Sequence, residues 1–336
     1  MATEDFIQRS VDLAAERLGG ETLGCSDDFF AEMENLLKPG RGIFIEDKYT
    51  ERGKWMDGWE SRRSYGRDNG RDSDWCLIAL GVPGKILGFD IDTNHFRGNS
   101  PQMVCVEACQ SKDKPSFDQV WTVILPKVEV NAHSQNIFEL EDKSDQIWTH
   151  LRLTMFPDGG IARCRVYGYP IADPAQFLPG ELIDLAAIKN GGMAIRCSDM
   201  FFSDKNNLLM PGRGINMGDG WETKRRRDPG PDWSIVKLAF KGTISKVLID
   251  TAHFKGNYPD RFSLQGFNGS DDEALACGDK WIALIAETKL EANHEHTFID
   301  EVINTASSFT HVRLNIFPDG GVSRMRIMGY KVDHED

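Results

Sequence analysis

The stretch HLRLTMFPDGGIARCRVYGY, from His150 to Tyr169, returns as HVRLNIFPDGGVSRMRIMGY from His311 to Tyr330, with 12 of 20 positions identical. In both copies apolar and polar side chains alternate on either side of FPDGG, which is the period of a strand with one covered face. Gly159 and Gly160, with Gly320 and Gly321, supply positive φ, so FPDGG reads as a tight hairpin connection between two strands. The following strand puts Arg163 and Arg165 on one face and Cys164 and Val166 on the other, and Arg324, Met325, Arg326 and Ile327 repeat this. The arginine face is therefore wet or salt-bridged.

Working outward, the doubling takes in nearly the whole chain. CSDDFFAEMENLLKPGRGI, from Cys25 to Ile43, answers CSDMFFSDKNNLLMPGRGI, from Cys197 to Ile215, with 13 of 19 positions identical. Upstream, VDLAAERLGG (Val11 to Gly20) matches IDLAAIKNGG (Ile183 to Gly192). Downstream, MDGWESRR (Met56 to Arg63) matches GDGWETKR (Gly218 to Arg225), and DTNHFRGN (Asp92 to Asn99) matches DTAHFKGN (Asp250 to Asn257). The first copy carries extra residues near Glu46 to Lys54. A chain of 336 residues suits two domains of about 150 residues each. The repeats set their limits at 10–169 and 182–330, and the join, 170–181, holds three prolines and no periodic apolar pattern, as a linker does. Alternation recurs at Lys85 to Asp92 and Trp121 to Leu125, while short helices are expected at Ser10 to Leu18, Leu182 to Asn190 and Phe29 to Leu37. The fold expected is all-β: two tandem antiparallel β-sandwiches with short helices.

Asp plus Glu outnumber Lys plus Arg by 52 to 39, a formal charge of -13 that repels nucleic acid and anionic membranes. A small ligand is the expected partner, with neither nucleic acid nor membrane. No apolar run approaches the roughly 18 residues of a membrane span, and the start, Met-Ala-Thr-Glu-Asp, lacks the basic and apolar regions of a signal peptide. The seven cysteines form no CxxC pair, and Cys76, Cys105, Cys109 and Cys164 sit inside apolar runs, as in a reducing compartment. The cytoplasm is the expected location. There is no GxSxG elbow, HExxH helix or dinucleotide GxGxxG loop.

The PGRGI block, DGWExRR, DTxHFxGN and xRLxxFPDGGxxRxRxxGY, each present twice and in order, resemble the allantoicase family. The resemblance covers nearly the whole chain. It implies two jelly-roll domains akin to galactose-binding and discoidin-type modules, homo-oligomeric assembly, and hydrolysis of allantoate to ureidoglycolate and urea. The enzyme class implied is a hydrolase acting on C–N bonds in linear amidines.

In allantoate the bond to be broken joins a tetrahedral carbon to a urea nitrogen. Such an aminal needs an acid for the departing urea, donors for the carboxylate, and a base that directs water. The acid/base candidates are Glu60, Asp92 and His95, with Glu222, Asp250 and His253 as counterparts. Substrate-binding candidates are Arg41, Asp57, Trp59, Arg63, Asn94 and Arg97, an indole floor with guanidinium and amide donors. Arg213, Asp219, Trp221 and Arg225 repeat the first four, whereas Asn94 and Arg97 become Ala252 and Lys255. Each candidate has a structural alternative: turn capping for Asp92, packing for His95 and Trp59, an internal ion pair for Glu60 and Arg63, and carbonyl capping for Arg41. His294 and His296 would share one face of a strand, but no further ligand stands at metal spacing, so no metal or other cofactor is expected. Cys25 and Cys197 have no basic neighbour in sequence that would make a nucleophile. The alternative function is a non-catalytic tandem discoidin-like protein that binds a carbohydrate or small anion. Two equivalent sites would favour that binder, and asymmetry between the repeats favours the enzyme.

Overall fold

The computed structural model describes residues 5–64, 72–116, 119–141, 145–278 and 280–332. The chain divides after Tyr169 into two compact units. The first contains helix α1 (Asp5–Gln8) and strands β1 (Val11–Asp12), β2 (Glu21–Cys25), β3 (Tyr49–Thr50), β4 (Gly53–Lys54), β5 (Trp59–Glu60) and β6 (Asp74–Asp92). It continues with β7 (Met103–Cys109), β8 (Thr122–Glu129), β9 (Gln135–Glu139), β10 (Trp148–Phe156), β11 (Gly160–Ile161) and β12 (Arg163–Pro170). The second contains β13 (Ile183–Asp184), β14 (Met193–Cys197), β15 (Trp221–Glu222), β16 (Asp232–Asp250) and β17 (Arg261–Phe267). After helix α2 (Asp271–Ala276) come β18 (Ile282–Lys289), β19 (Glu295–Phe298), β20 (Ser308–Phe317), β21 (Gly321–Val322) and β22 (Arg324–Lys331).

Each unit is a jelly-roll β-sandwich organised by one strand of 19 residues, β6 or β16. The first half of β6 pairs with β2 and β10, and that layer continues through β7 to β8. Its second half pairs with β9 and β12, and β12 carries β1. The same order recurs around β16. Between the layers the alternating side chains interleave: Ile78, Phe89, Ile91, Val106, Leu151, Leu153 and Val166 are fully buried in one core with Trp59. Each such side chain contributes about 1.5–3 kcal/mol on leaving water.

Two sequence expectations need correction. FPDGG is not a hairpin turn, because β10 and β12 do not pair with each other and both flank β6. The turn instead crosses between layers, and Gly159, at φ 136°, passes so close that a Cβ there would lie 2.5 Å from the Asn99 carbonyl. The expected helices are also shorter than read, each reduced to a 3-10 turn. Ser10 to Leu18 is β1 followed by one 3-10 turn, Glu16–Leu18, and Leu182 to Asn190 is β13 followed by Ile188–Asn190. Of Phe29 to Leu37, only Met33–Leu37 is a 3-10 turn. Asp12 and Asp184 explain the first two: each side chain accepts the N–H two residues on and a second N–H from the neighbouring strand, so the backbone turns at once.

Candidate functional site

The second half of β6 delivers Asp92 to the rim of the sandwich, where the chain enters the loop to Asn99. Asp92 is 2% exposed. Its Oδ2 accepts Arg41 Nε at 2.8 Å, and its Oδ1 accepts Arg41 Nη2 and the Asn94 N–H, each at 2.9 Å. Both carboxylate oxygens are thereby occupied, and the half-exposed Arg41 is aimed by a bidentate pair. Arg213 and Asp250 repeat the pair, and Asp250 accepts the Ala252 N–H. The carbonyls of the PGRG turn are capped from β12: Arg165 donates to Leu37, Lys38 and Gly40, and Arg163 donates to Gly40.

His95 and His253 both adopt left-handed backbone, at φ 69° and 72°, a conformation of a kind that gathers at functional sites. Their rings differ. Asn94 Nδ2 donates to the Gly42 carbonyl at 2.9 Å, whereas Ala252 has no amide and His253 Nε2 takes the matching Gly214 carbonyl at 2.8 Å. The His95 ring nitrogens consequently have no hydrogen-bond partner among the described residues. The imidazole lies on Phe44, with centroids 5.6 Å apart and planes at 25°, and Lys54 Nζ stands 4.8 Å from the Phe44 centroid. Lys54 belongs to the β3–β4 hairpin formed by the first repeat's additional residues, and the second repeat has Asn216 where the first has Phe44.

The DGWE motif divides by burial. Asp57 forms a 2.7 Å ion pair with Arg163, itself 3% exposed, and accepts the Ile43 N–H. Trp59 is fully buried and its indole N–H donates to the Asp27 carbonyl at 2.9 Å. Asp219 with Arg324, and Trp221 with the Asp199 carbonyl, repeat both contacts. Neither indole presents the open face expected of a ligand floor. Glu60 is half-buried, accepts Asn99 Nδ2 at 2.7 Å, and has its pKa raised by burial, with Asn99 and Arg63 opposing the rise. Glu222 accepts Asn257 in the same way. Arg63 is exposed and 3.6 Å from Asp158, and Arg225 is exposed. Arg97, also exposed, brings Nη2 to 2.9 Å from His133 Nε2.

A profile of the Allantoicase repeat matches residues 11–171 and again 183–332. The chain belongs to the allantoicase family. It is 44% identical over 329 residues to the allantoicase of Dictyostelium discoideum, covering 96% of this chain and 87% of that one. It is 48% identical over 329 residues to a probable allantoicase of Burkholderia mallei, covering 97% and 96%. A crystal structure of allantoicase from Saccharomyces cerevisiae superposes with a TM-score of 0.78 at 36% identity, covering 98% and 96%.

Within the two allantoicase repeats, residues outside the sequence candidates also reach the rim. His133 Nδ1 accepts the His95 backbone N–H at 2.9 Å, the task that Asn293 Oδ1 performs for His253. Aligning HSQNIF with NHEHTF would have paired these two acceptors. Asp90, 4% exposed, stands two residues before Asp92 where the second repeat has Leu248. Burial pushes its pKa up to about 6, its Oδ2 accepts Gln135, and its Oδ1 has no partner among the described residues. His296 uses both ring nitrogens on backbone: Nε2 accepts from Glu291 and Nδ1 meets the Ile249 carbonyl, as Asn136 does with Asn131 and Ile91. No group of three or more metal-ligating side chains occurs among the described residues. Burial and neighbouring Asp28 and Asp27 push the Cys25 thiol up to about 12, and burial takes Cys197 to about 11, far from a reactive thiolate.

Proposed function

We propose that the chain hydrolyses allantoate to ureidoglycolate and urea at a site in its first repeat. The observation that carries the location is the free imidazole of His95, released because Asn94 holds the Gly42 carbonyl, against the tethered imidazole of His253. Glu60, whose hold on a proton burial strengthens by raising its pKa, gives that proton to the departing urea nitrogen as the C–N bond breaks. His95 takes a proton from water as the water oxygen bonds to the same carbon, and Glu60 then regains a proton by way of His95 or solvent. Arg41, aimed by Asp92, and Arg97 supply cationic donors for the carboxylate, and Arg63 lies beside Glu60.

Asp57 and Trp59, with Asp219 and Trp221, hold the rim in place. A tandem binding module would present two equivalent sites, which the different histidines do not favour. We further take 10–169 and 182–330 as the repeats with 170–181 between them. Seven free thiols support a cytoplasmic location, and a homo-oligomer follows from the family resemblance.

The test is urea release from allantoate by purified protein. His95→Ala is expected to lower kcat by about a hundredfold or more, as loss of a general base does, whereas His253→Ala leaves kcat within about threefold. Equal small effects from both, with folding intact, would move the chemistry away from His95.

A further inference from the structure

The contact between Arg97 and His133 has a donor on each side. His133 Nδ1 lies 2.9 Å from the His95 backbone nitrogen and must accept its hydrogen. A neutral imidazole that accepts at Nδ1 carries its own hydrogen on Nε2. That Nε2–H stands 2.9 Å from Arg97 Nη2, a nitrogen that can only donate. A doubly protonated ring would not help, since it would set a second N–H against the His95 amide. Burial, Arg97, His95 and Arg41 push the His133 pKa down against the opposing charge of Asp92, which favours the neutral ring. Two donors this close are reconciled by an acceptor that touches both.

We propose that Arg97 and His133 together form the subsite that receives the carboxylate of the substrate. The proposal rests on the functional reading above and adds His133 as a residue that touches substrate. Three features of the site favour an anion there. Arg97 is exposed and meets no carboxylate among the described residues, so its guanidinium can turn toward a ligand. Asp92, the nearby buried carboxylate, already has both oxygens engaged by Arg41 and the Asn94 N–H. The His133 and His95 ring centroids are 5.5 Å apart with planes tilted by 48°, so an anion held on Nε2–H is within reach of the free imidazole. The second repeat lacks the arrangement: Asn293 supplies the acceptor for His253, and Lys255 stands where the first repeat has Arg97.

The probe is hydantoate, which joins one ureido group to a carboxylate, compared with its neutral amide. Each is titrated calorimetrically into the full-length chain, and allantoate turnover is measured on the same preparations. The variants are Arg97→Gln and His133→Asn, the latter keeping both the acceptor and the left-handed backbone that Asn293 shows in the second repeat. Wild type is expected to bind hydantoate at least tenfold more tightly than the amide. Both variants should lose most of that preference and raise the allantoate KM about tenfold, with kcat within threefold. Lys255→Gln should alter neither quantity. A preference retained within twofold in both variants overturns the subsite. Absence of urea release by wild type would refute the functional reading, while the hydantoate titration still decides whether these two residues hold a carboxylate.

Discussion

Replacing Asn94 by alanine should convert the first repeat's histidine into a copy of the second's. Without the amide the Gly42 carbonyl loses its donor, and the His95 imidazole can take it as His253 takes Gly214 at 2.8 Å. A hydrogen bond of this kind contributes about 0.5–1.5 kcal/mol net, which leaves roughly a third to a tenth of the rings free. The expected kcat is therefore about three to ten times lower, with KM nearly unchanged, because only the population of competent imidazole has fallen. Steady-state urea release across a range of allantoate concentrations separates the two parameters. In a background already carrying His95→Ala, the same replacement should cost nothing further, since both changes act through one ring. Ala252→Asn should be silent in turnover. An Asn94→Ala enzyme with unchanged kcat and a tenfold higher KM would refute this reasoning and return Asn94 to direct contact with the ureido group.

Other outcomes follow from the buried carboxylates. Glu60→Gln should lower kcat by about a hundredfold or more and abolish the alkaline limb of kcat/KM, because an acid raised by burial works protonated and fails as pH climbs past its pKa. Asp90 has an ordinary pKa of 3.8 and a folded value of about 6, so its favourable protonated state is complete below about 4 and is lost as pH rises through about 6. Two units correspond to about 3 kcal/mol at most. Asp90→Leu, the residue of the second repeat, should thus raise Tm at pH 8 and do little at pH 4, and an equal change at both would count against the titration. Asp57→Ala strands the buried Arg163 guanidinium and should cost about 3–5 kcal/mol in denaturant unfolding, part of which Arg163→Met in the same chain restores.

The alternation in His150 to Tyr169 identifies strands because it reports which side chains are covered, and β10 and β12 bury alternate positions as read. It carries no information on which strand lies alongside, and so FPDGG reads as a hairpin although β6 runs between its two arms. The short LAA runs after Asp12 and Asp184 have apolar spacing that suits a helix, but one carboxylate accepting two N–H groups outweighs that weak preference. At the rim the motifs locate the neighbourhood without sorting its members. Trp59 and Glu60 are adjacent in sequence, yet strand alternation sends one into the core and leaves the other half-open. The exchange of Asn94 for Ala252 is visible in the sequence. Its effect falls on a neighbouring ring, through a carbonyl some fifty residues away that only the fold brings near. His133 leaves no repeat signature, because its counterpart is an asparagine that does the same job by a different atom.

The strand from Asp74 to Asp92 acts as a ruler read at both ends. Its first half is phased against β10, with Ile78 opposite Leu151, and its second half against β9, with Asp92 opposite Gln135. Because side chains change face at every step, adding one residue between those halves would shift the phase of one end relative to the other. The core could keep Ile78 and Leu151 inside, but Asp92 would then turn inward and Ile91 outward, and Arg41 would have nothing to aim it. The repeats tolerate length changes in their loops, as the β3–β4 hairpin shows, yet both keep this strand at 19 residues. A deletion here would preserve a plausible sandwich and destroy the rim, so the spacing from core to site is under a stricter constraint than the composition of either.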